Sequence, residues 1–378
     1  MSLLLNEEQQ LLKDTAKEFV QKNAPISHFR ELRDKENKLG YSKKLWKDMV
    51  QLGWSGILIP EEYGGVDFGM VGLGCILEET GRKLVPSPLF STALVGASIL
   101  AIAGNDKQKK EFLPKVAEGK LITAFALEES SRHDPLTIET YCKKEGDKLI
   151  LNGKKNFVLD GHIADLLIVA ARHSEVQSKK GGIGLYLVDP KEKGIKLSKM
   201  NMVDSRNACR VILKDVEINK EDQIGELEAS GIIEEVLDRA QIGLSSEMLG
   251  SALEAFDLTL EYLKERNQFG KPIGSFQALQ HRAAKMFSEI ELTKSSVMGA
   301  LNAVDENSND RARFASLAKF KAGETLHLVS NEAIQMHGGV GVTDEFDIGL
   351  FLKRSRVTEQ IFGSSNYHLE RYANLSEY

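Results

Sequence analysis

The stretch DKLILNGKKNFVLDG, residues 147–161, is rich in branched and aromatic side chains and is interrupted by turn residues. Similar short runs occur between about Leu121 and Gly225, namely TAFALEES, ADLLIVAAR, IGLYLVD and CRVILKDVEI. Runs of this composition, separated by turn residues, predict β-strands. Within the first stretch, Asn152-Gly153 predicts a type I′ hairpin turn, because both residues tolerate positive φ. We therefore expect a β domain over residues 121–226.

Helical periodicity precedes and follows this region. Asn6 is placed to cap a first helix together with Gln9, in the capping-box pattern, and a second helical stretch covers residues 44–52. Beyond Gly225 the apolar residues return to helical spacing almost to the end of the chain. Strands grouped between two groups of helices indicate an α+β fold class. The order predicts an N-terminal α-helical domain at 1–120, a middle β domain at 121–226 and a C-terminal α-helical domain at 227–378.

Composition excludes several classes of protein. The chain has 378 residues, a formal net charge of −6 and dispersed lysines and arginines, so the basic stripe of a nucleic-acid binder is absent. No apolar run approaches the roughly 20 residues that span a membrane, and the N-terminus lacks the pattern of a secretory signal. We expect a cytoplasmic protein. Three widely spaced cysteines, Cys75, Cys142 and Cys209, favour reduced thiols and no metal site.

Two glycine-containing segments could approach a phosphate, although neither is specific alone. In QMHGGVG, residues 335–341, three glycines within four residues allow close backbone approach to an anion, but the same pattern is common in a helix C-cap and loop. RNQFG, residues 266–270, is similarly compatible with a solvated helix end. The nucleotide-binding patterns GxGxxG and Walker A are absent.

Glu247 is the most informative single residue. It lies in IGLSSEMLGSALEAF, residues 242–256, a helical stretch with small and apolar neighbours. A carboxyl group in such surroundings would be partly desolvated with a raised pKa, which suits a general base. The alternative is a glutamate at the solvent edge of an amphipathic helix.

Five separated motifs, taken together, resemble those of the acyl-CoA dehydrogenase family in order and spacing. They are PEEYGG (60–65), NGKKNFVLDG (152–161), RNQFGKPIGSFQ (266–277), QMHGGVGV (335–342) and FGSSN (362–366). The resemblance covers essentially the whole chain. It implies an N-terminal α-helical domain, a middle β domain built as an antiparallel barrel or sandwich, and a C-terminal four-helix bundle.

The resemblance also implies that FAD lies extended between the β domain and the C-terminal domain. By motif, the isoalloxazine ring would be lined by Phe125, Leu127, Glu128, Phe157 and Leu159. The pyrophosphate, ribityl and adenosine parts would be contacted by Arg266, Phe269, Gln277, Gln335, Gly338, Gly339, Ser364 and Asn366. Three of the ring-lining positions depart from the family: Glu128 and Leu159 replace threonines, and Phe157 replaces a tryptophan. Asn366 stands where the family usually has glutamine.

The catalytic base departs from the usual family pattern as well. Most relatives carry the catalytic glutamate at the position of Phe362, and a minority carry it at the position of Ala240; neither residue can take a proton here. A further branch has an acid in an EM(L/V)G context, which Glu247-Met248-Leu249-Gly250 reproduces. The resemblance thus makes Glu247 the candidate base. The backbone N–H of Phe362 would donate to the thioester carbonyl.

The implied reaction is α,β-dehydrogenation of an acyl-CoA thioester to a trans-2-enoyl-CoA, with electrons passed to an electron-transfer flavoprotein. The shared FAD site of the family implies at least a dimer, either a homo-oligomer or a hetero-oligomer with a related subunit. Two alternatives stay open. The chain could be a catalytically silent subunit of a heteromeric acyl-CoA dehydrogenase, or another flavin enzyme of the same fold, such as an oxidase or a monooxygenase.

Overall fold

A computed structural model of the protein describes residues 4–174 and 181–378. Within these ranges the α-helices are α1 (Glu7–Asn23), α2 (Ile26–Asp34), α3 (Lys43–Gln51), α4 (Gly69–Arg82), α5 (Ala97–Ala103), α6 (Asp106–Ala117), α7 (Ser230–Glu265), α8 (Gln277–Asp305), α9 (Arg311–His337), α10 (Ile348–Gln360) and α11 (Ser365–Leu375). The strands are β1 (Thr123–Ala126), β2 (Tyr141–Glu145), β3 (Lys148–Leu159), β4 (Leu166–His173), β5 (Ile183–Val188), β6 (Ile195–Asn201), β7 (Asn207–Asn219), β8 (Gln223–Ile224), β9 (Asn267–Gln268) and β10 (Lys271–Pro272).

Helices, strands and helices therefore follow one another along the chain, as the α+β prediction requires. The capping box predicted for α1 is present, because Gln9 N–H donates to Asn6 Oδ1 (2.8 Å) and Asn6 N–H donates to Gln9 Oε1 (3.0 Å). No helix in residues 4–174 or 181–378 combines the length and apolarity needed to cross a bilayer. Cys75, Cys142 and Cys209 carry buried free thiols.

The chain folds into two units, each with its own interior. The first comprises residues 4–35, 70–85 and 241–378, and the second comprises residues 36–69, 86–174 and 181–240. The three predicted domains divide the chain differently, and their boundaries stay predictions.

The first unit is helical, and α9 lies against α8, α10 and α11. Close approach between α4 and α7 depends on two glycines. A Cβ added to Gly250 of α7 would lie 1.8 Å from the carbonyl oxygen of Glu78, and one added to Gly81 of α4 would lie 2.2 Å from the carbonyl oxygen of Glu247. The glycine of the EMLG segment is therefore required by helix packing at this position.

The second unit contains one eight-stranded sheet in the order β6-β7-β3-β2-β4-β5-β8, with β1 paired to β4. Most neighbouring strands are antiparallel, but β4 pairs in parallel with both β1 and β2, so the sheet is mixed and not purely antiparallel as the resemblance implied. The buried residues of the sheet that form its core include Leu151, Leu167, Val169, Tyr186 and Val211.

The predicted hairpin turn at Asn152-Gly153 is wrong. β3 continues through both residues, and the chain reverses between Glu145 and Lys148 instead, with Gly146 at φ 60°. Asn152-Gly153 forms a bulge, where the register with β7 shifts between Leu151 and Gly153. Glycine is needed there because its φ is 153° and a Cβ would lie 2.3 Å from Thr140 Oγ1.

Candidate active site

Glu247 lies on α7 with only 7% of its surface exposed, so its carboxylate is inside the helical unit. The guanidinium of Arg354, on α10, contacts it twice: Nε is 2.9 Å and Nη2 is 2.8 Å from Glu247 Oε1. The neighbours of Glu247 in the sequence are small or apolar and do not indicate this cationic partner, because Arg354 lies 107 positions away along the chain. A buried carboxylate with a cationic partner replaces the isolated desolvated one that we expected.

The Phe362-Gly363 segment connects α10 to α11 in a backbone conformation that is uncommon for L-residues. Phe362 has φ 57° and Gly363 has φ 104°. The Phe362 carbonyl oxygen is 3.2 Å from Gln241 Nε2 and 2.9 Å from His368 Nε2. A Cβ on Gly363 would lie 2.5 Å from the Tyr367 ring. This part of the backbone is therefore fixed by its neighbours.

Lys319 of α9 was not identified from the sequence. Its side chain is buried, and Nζ donates to the carbonyl oxygens of Gly363 (3.0 Å) and Glu359 (3.2 Å). Burial lowers the pKa of Lys319 to about 7, against the opposing influence of the Glu359 carboxylate. The one indication of its burial in the sequence is its position within ASLAKF, residues 315–320, where its neighbours on the helix are small or apolar.

The motifs around Arg266 and Gly338 are brought together in the helical unit. Tyr262, one turn before Arg266, stacks on His337 with ring centroids 4.3 Å apart, and its hydroxyl donates to the His337 carbonyl oxygen (3.3 Å). His337 immediately precedes Gly338 and Gly339, which have no atom within 4 Å of an added Cβ. Two glycines with open space in front of them allow a ligand to approach the backbone closely.

Four other polar residues predicted to hold FAD in this unit, Arg266, Gln277, Gln335 and Asn366, are exposed, whereas Ser364 is half-buried. Phe269 is 90% exposed at φ 53°, in the turn between β9 and β10. Within residues 4–174 and 181–378, no side-chain hydrogen bond or ion pair engages Arg266, Gln277, Gln335 or Asn366. Ser364 caps α11 by accepting a hydrogen bond from Tyr367 N–H. These donors are available to an anionic or polar ligand.

In the second unit, the segment after β1 is tied to β3. Asn156 N–H donates to the Glu128 carbonyl oxygen (2.7 Å), and Lys155 Nζ donates to the Leu127 carbonyl oxygen (3.0 Å). Leu127, Glu128 and Phe157 are thereby brought together.

The ring-lining positions differ in how much of each side chain remains accessible. Phe157 has φ 51° and is 42% exposed, whereas Phe125, Glu128 and Leu159 are half-buried. An exposed aromatic ring in a strained backbone conformation is consistent with a surface that a flat ligand covers.

The carboxylate of Glu128 has a partner of its own. Its Oε1 is 2.5 Å from Nδ1 of His133. Glu128 therefore cannot be equated with the threonine hydroxyl that the family usually has at this position, and Leu159 has no hydroxyl at all. Backbone groups of this segment remain as the donors that could replace those side chains.

An ion pair between Lys155 and Glu129 also holds this segment in place. Lys155 Nζ lies 2.7 Å from Glu129 Oε1, and the Glu129 carboxylate also accepts from the N–H groups of Glu139 (2.6 Å) and Thr140 (3.0 Å). Burial lowers the pKa of Lys155 to about 8, with Glu129 opposing that change. Burial acts to raise the pKa of Glu129, but Lys155 and the hydrogen bonds hold it below its ordinary value.

Taken unit by unit, the residues present fit FAD. The helical unit offers open glycines and unengaged polar side chains, and the β unit offers an exposed aromatic ring beside a fixed backbone segment. The contacts offered to FAD come from backbone groups and aromatic surface more than from the hydroxyl side chains that are usual in the family.

Comparison with known proteins identifies the family. The acyl-CoA dehydrogenase N-terminal, middle and C-terminal domains match residues 6–120, 124–216 and 230–375. A 3-(aryl)acrylate reductase of Clostridium sporogenes is 31% identical, with 96% of this chain and 97% of that protein covered. Acyl-CoA dehydrogenase IpdE2 of Mycolicibacterium smegmatis is 30% identical, with 97% and 98% covered.

Among solved structures, butyryl-CoA dehydrogenase of Megasphaera elsdenii superposes with a TM-score of 0.92 at 26% identity, covering all of both chains. The predicted fold class, with N-terminal helices, a middle β domain and C-terminal helices, is confirmed. Family membership also confirms FAD as the cofactor. The chain belongs to the acyl-CoA dehydrogenase family.

Proposed function

We propose that this chain oxidises an acyl-CoA thioester to the trans-2-enoyl-CoA with Glu247 as the catalytic base. The observation that supports this assignment is a buried carboxylate on α7, combined with side chains at positions 240 and 362 that cannot accept a proton. Arg354 fixes the orientation of that carboxylate through Oε1. A positioned carboxylate in a site that excludes water is suited to general-base catalysis.

The proposed chemistry breaks two C–H bonds and forms one C=C bond. Glu247 takes the α-hydrogen as a proton, while the β-hydrogen leaves with its electron pair. When bound, FAD supplies the acceptor for that hydride. The Phe362 N–H donates to the thioester carbonyl oxygen and stabilises the negative charge that develops there, as an oxyanion hole does.

The residues that contact FAD are proposed separately for the helical unit and for the β unit. In the helical unit Gly338 and Gly339 offer their backbone, and the polar contacts come from Arg266, Gln277, Gln335, Ser364 and Asn366, with Phe269 at the adenine end. In the β unit the ring would lie against Phe157, with Phe125, Leu127, Glu128 and Leu159 around it. The open space at the glycines and the exposure of Phe157 support this arrangement.

The partners are proposed from the names of relatives. One relative, from Acetobacterium woodii, is named as the CarC subunit of a caffeyl-CoA reductase–Etf complex, which supports an electron-transfer flavoprotein as the redox partner of this chain. A steroid acyl-CoA dehydrogenase named for two proteins is 29% identical, with a TM-score of 0.88, which supports assembly with a related subunit. Assembly with a second copy of this chain is the alternative. Reductase names among the relatives are consistent with the same hydride transfer in the reverse direction.

The Glu247–Arg354 pair also favours a second candidate function, that of a catalytically silent subunit. A guanidinium that contacts Oε1 twice competes for the lone pairs that would accept the α-proton. If that contact persists when substrate is bound, Glu247 is a structural residue and the base comes from a partner subunit. The oxidase and monooxygenase alternatives have no comparable observation in their favour.

The two candidates are distinguished by anaerobic mixing of the FAD-loaded chain with a panel of acyl-CoAs. The readout is loss of the visible flavin absorbance in the wild type and in Glu247→Gln. A matched control is Glu254→Gln, because Glu254 lies two turns further along α7 and is also a buried carboxylate, paired with Arg82 and Lys83. A dehydrogenase that uses Glu247 is bleached as wild type and as Glu254→Gln but not as Glu247→Gln. Retained FAD without bleaching by any thioester would favour the silent subunit.

A further inference from the structure

Lys319 is an unusual buried lysine, because within residues 4–174 and 181–378 no carboxylate lies at ion-pair distance from its ammonium, and the Glu359 carboxylate acts on it only from further away. The residue is 1% exposed, and its ammonium donates to two backbone carbonyl oxygens, those of Glu359 and Gly363. Taking a charged amine out of water is unfavourable unless its donors are satisfied. A hydrocarbon side chain would fill the same space without that cost. The lysine is therefore best explained by what its hydrogen bonds hold in place.

Its hydrogen bonds hold both ends of the turn between α10 and α11. Glu359 belongs to the last turn of α10, and Gly363 lies in the connection to α11. A donor that bridges these two carbonyl oxygens fixes the five-residue segment 359–363 from the side of α9. The segment contains Phe362, whose φ of 57° is unfavourable for a side chain of that size.

Gln241 holds the same turn from the side of α7. Its Nε2 donates to the Phe362 carbonyl oxygen (3.2 Å), and its Oε1 is 3.4 Å from Arg371 Nη1. His368 Nε2 is also within hydrogen-bond distance of the Phe362 carbonyl oxygen (2.9 Å). Carbonyl oxygens 362 and 363 are thus engaged from three helices. A strained conformation persists where its surroundings over-determine it in this way.

We propose that Lys319 and Gln241 are positioning residues that aim the Phe362 backbone N–H at the thioester carbonyl oxygen of the substrate. This inference rests on the proposed function, in which that N–H binds the thioester. The two residues do not touch the substrate. They act by holding the carbonyl oxygens of residues 359, 362 and 363, which lie on both sides of the 361–362 peptide plane that carries the Phe362 N–H.

The test compares two coenzyme A ligands that differ only at the carbon bonded to sulfur. A thioester such as butyryl-CoA has the carbonyl oxygen, whereas the thioether S-butyl-CoA lacks it. Binding is followed by the perturbation of the visible flavin spectrum of the FAD-loaded protein under anaerobic conditions, with Glu247→Gln as the background so that no turnover occurs. The quantity measured is the ratio of the two dissociation constants.

Lys319→Met removes the ammonium and keeps a long apolar side chain. Lys321→Met is the matched control, because Lys321 is on the same helix and its ammonium pairs with Glu289 of α8, whereas that of Lys319 donates to Glu359 and Gly363. Gln241→Met is a second, nearly isosteric variant, which keeps the test valid if Lys319→Met does not fold. We expect the preference for the thioester to fall about tenfold in Lys319→Met and in Gln241→Met, as for the loss of one well-aligned hydrogen bond. We expect Lys321→Met to keep the wild-type ratio.

The outcomes separate the inference from the function on which it rests. If the Glu247→Gln background binds both ligands equally or binds neither, the proposed thioester contact itself is wrong. If that background prefers the thioester and a folded Lys319→Met or Gln241→Met retains the same preference, the positioning role is overturned. A parallel weakening of both ligands with an unchanged ratio has the same meaning, since it shows a general loss of structure.

Discussion

Arg354 and Glu247 form a buried ion pair in which two guanidinium nitrogens, Nε and Nη2, lie 2.9 and 2.8 Å from the same carboxylate oxygen, Oε1. Removing only the cation would leave a carboxylate without its partner in a region that excludes water. We expect Arg354→Met to lower the free energy of unfolding by about 3 to 5 kcal/mol. Urea denaturation of the variant and the wild type, followed by circular dichroism, measures this difference.

A surface ion pair provides the control for this experiment. Lys35 and Glu31 form a pair whose side chains are 73% and 56% exposed, so Lys35→Met should change the free energy of unfolding by less than about 1 kcal/mol. The double variant Glu247→Met with Arg354→Met should recover much of the lost stability, because neither member of this pair is left as a buried charge without the other. Equal losses in Arg354→Met and Lys35→Met would show that the buried pair has no special role in stability.

The Lys155–Glu129 pair in the β unit leads to a prediction about FAD retention. Lys155 Nζ connects Glu129 to the carbonyl oxygen of Leu127, in the segment where the flavin ring is proposed to lie. We expect Lys155→Met to destabilise the protein by about 3 kcal/mol and to lose FAD during gel filtration, because the largely buried Glu129 carboxylate loses its cationic partner and the Leu127 carbonyl oxygen loses its donor.

Lys143→Met is the comparison, since Lys143 pairs with Glu145 on the exposed side of β2. It should retain both stability and FAD. Retention of FAD by a folded Lys155→Met would contradict the proposed link between the ion pair and the flavin-lining segment.

The fold was predictable because each element carries its own local signal. The strands of the β unit are short branched runs bounded by turn residues, and α1 begins at a capping box formed by Asn6 and Gln9. The bulge in β3 was not predictable in the same way. Asn-Gly favours positive φ in a hairpin and in a bulge alike, and only the pairing of Leu151 and Gly153 with β7 decides between them.

The site was less predictable than the fold, because its contacts join distant positions. Glu247 was identified from a local motif, but its partner Arg354 lies in a charged segment, KRSR, that has no distinctive pattern. Lys319 has no sequence signal beyond apolar neighbours. Partner identity depends on which helices meet, and that information is not contained in the periodicity of any single helix.

The open space in front of Gly339 allows a test of cofactor binding that does not depend on catalysis. A Cβ at Gly339 would meet no atom within 4 Å, so Gly339→Val should fold with a melting temperature of the FAD-free protein close to that of the wild type. If the FAD phosphates approach this backbone, the valine side chain would occupy their space. We expect FAD affinity, measured by isothermal titration calorimetry, to fall at least about tenfold.

Gly231→Val is the matched control, because Gly231 also has no neighbour within 4 Å of an added Cβ and lies at the start of α7. It should bind FAD as the wild type does. Unchanged FAD affinity in Gly339→Val would exclude the glycine-rich segment from the cofactor site.

The pKa of Lys319 predicts a specific dependence of stability on pH. Burial lowers it from 10.5 to about 7 in the folded chain, whereas the unfolded chain keeps the ordinary value. Below pH 7 the amine is protonated in both states, and the folded state bears the full cost of the buried charge. Between about pH 7 and 10 the unfolded state binds more protons, so this group makes folding more favourable as pH rises, by up to about 1.4 kcal/mol for each pH unit.

The contribution of Lys319 is isolated by comparison with Lys319→Met and Lys321→Met in urea denaturation at pH 7, 8 and 9. The difference in unfolding free energy between wild type and Lys319→Met should shift in favour of the wild type as pH rises, because methionine binds no proton. Wild type and Lys321→Met should change with pH in parallel, since Lys321 does not share the burial of Lys319. Parallel curves for wild type and Lys319→Met would instead show that the ammonium keeps its proton through this range, held by the carbonyl oxygens of Glu359 and Gly363.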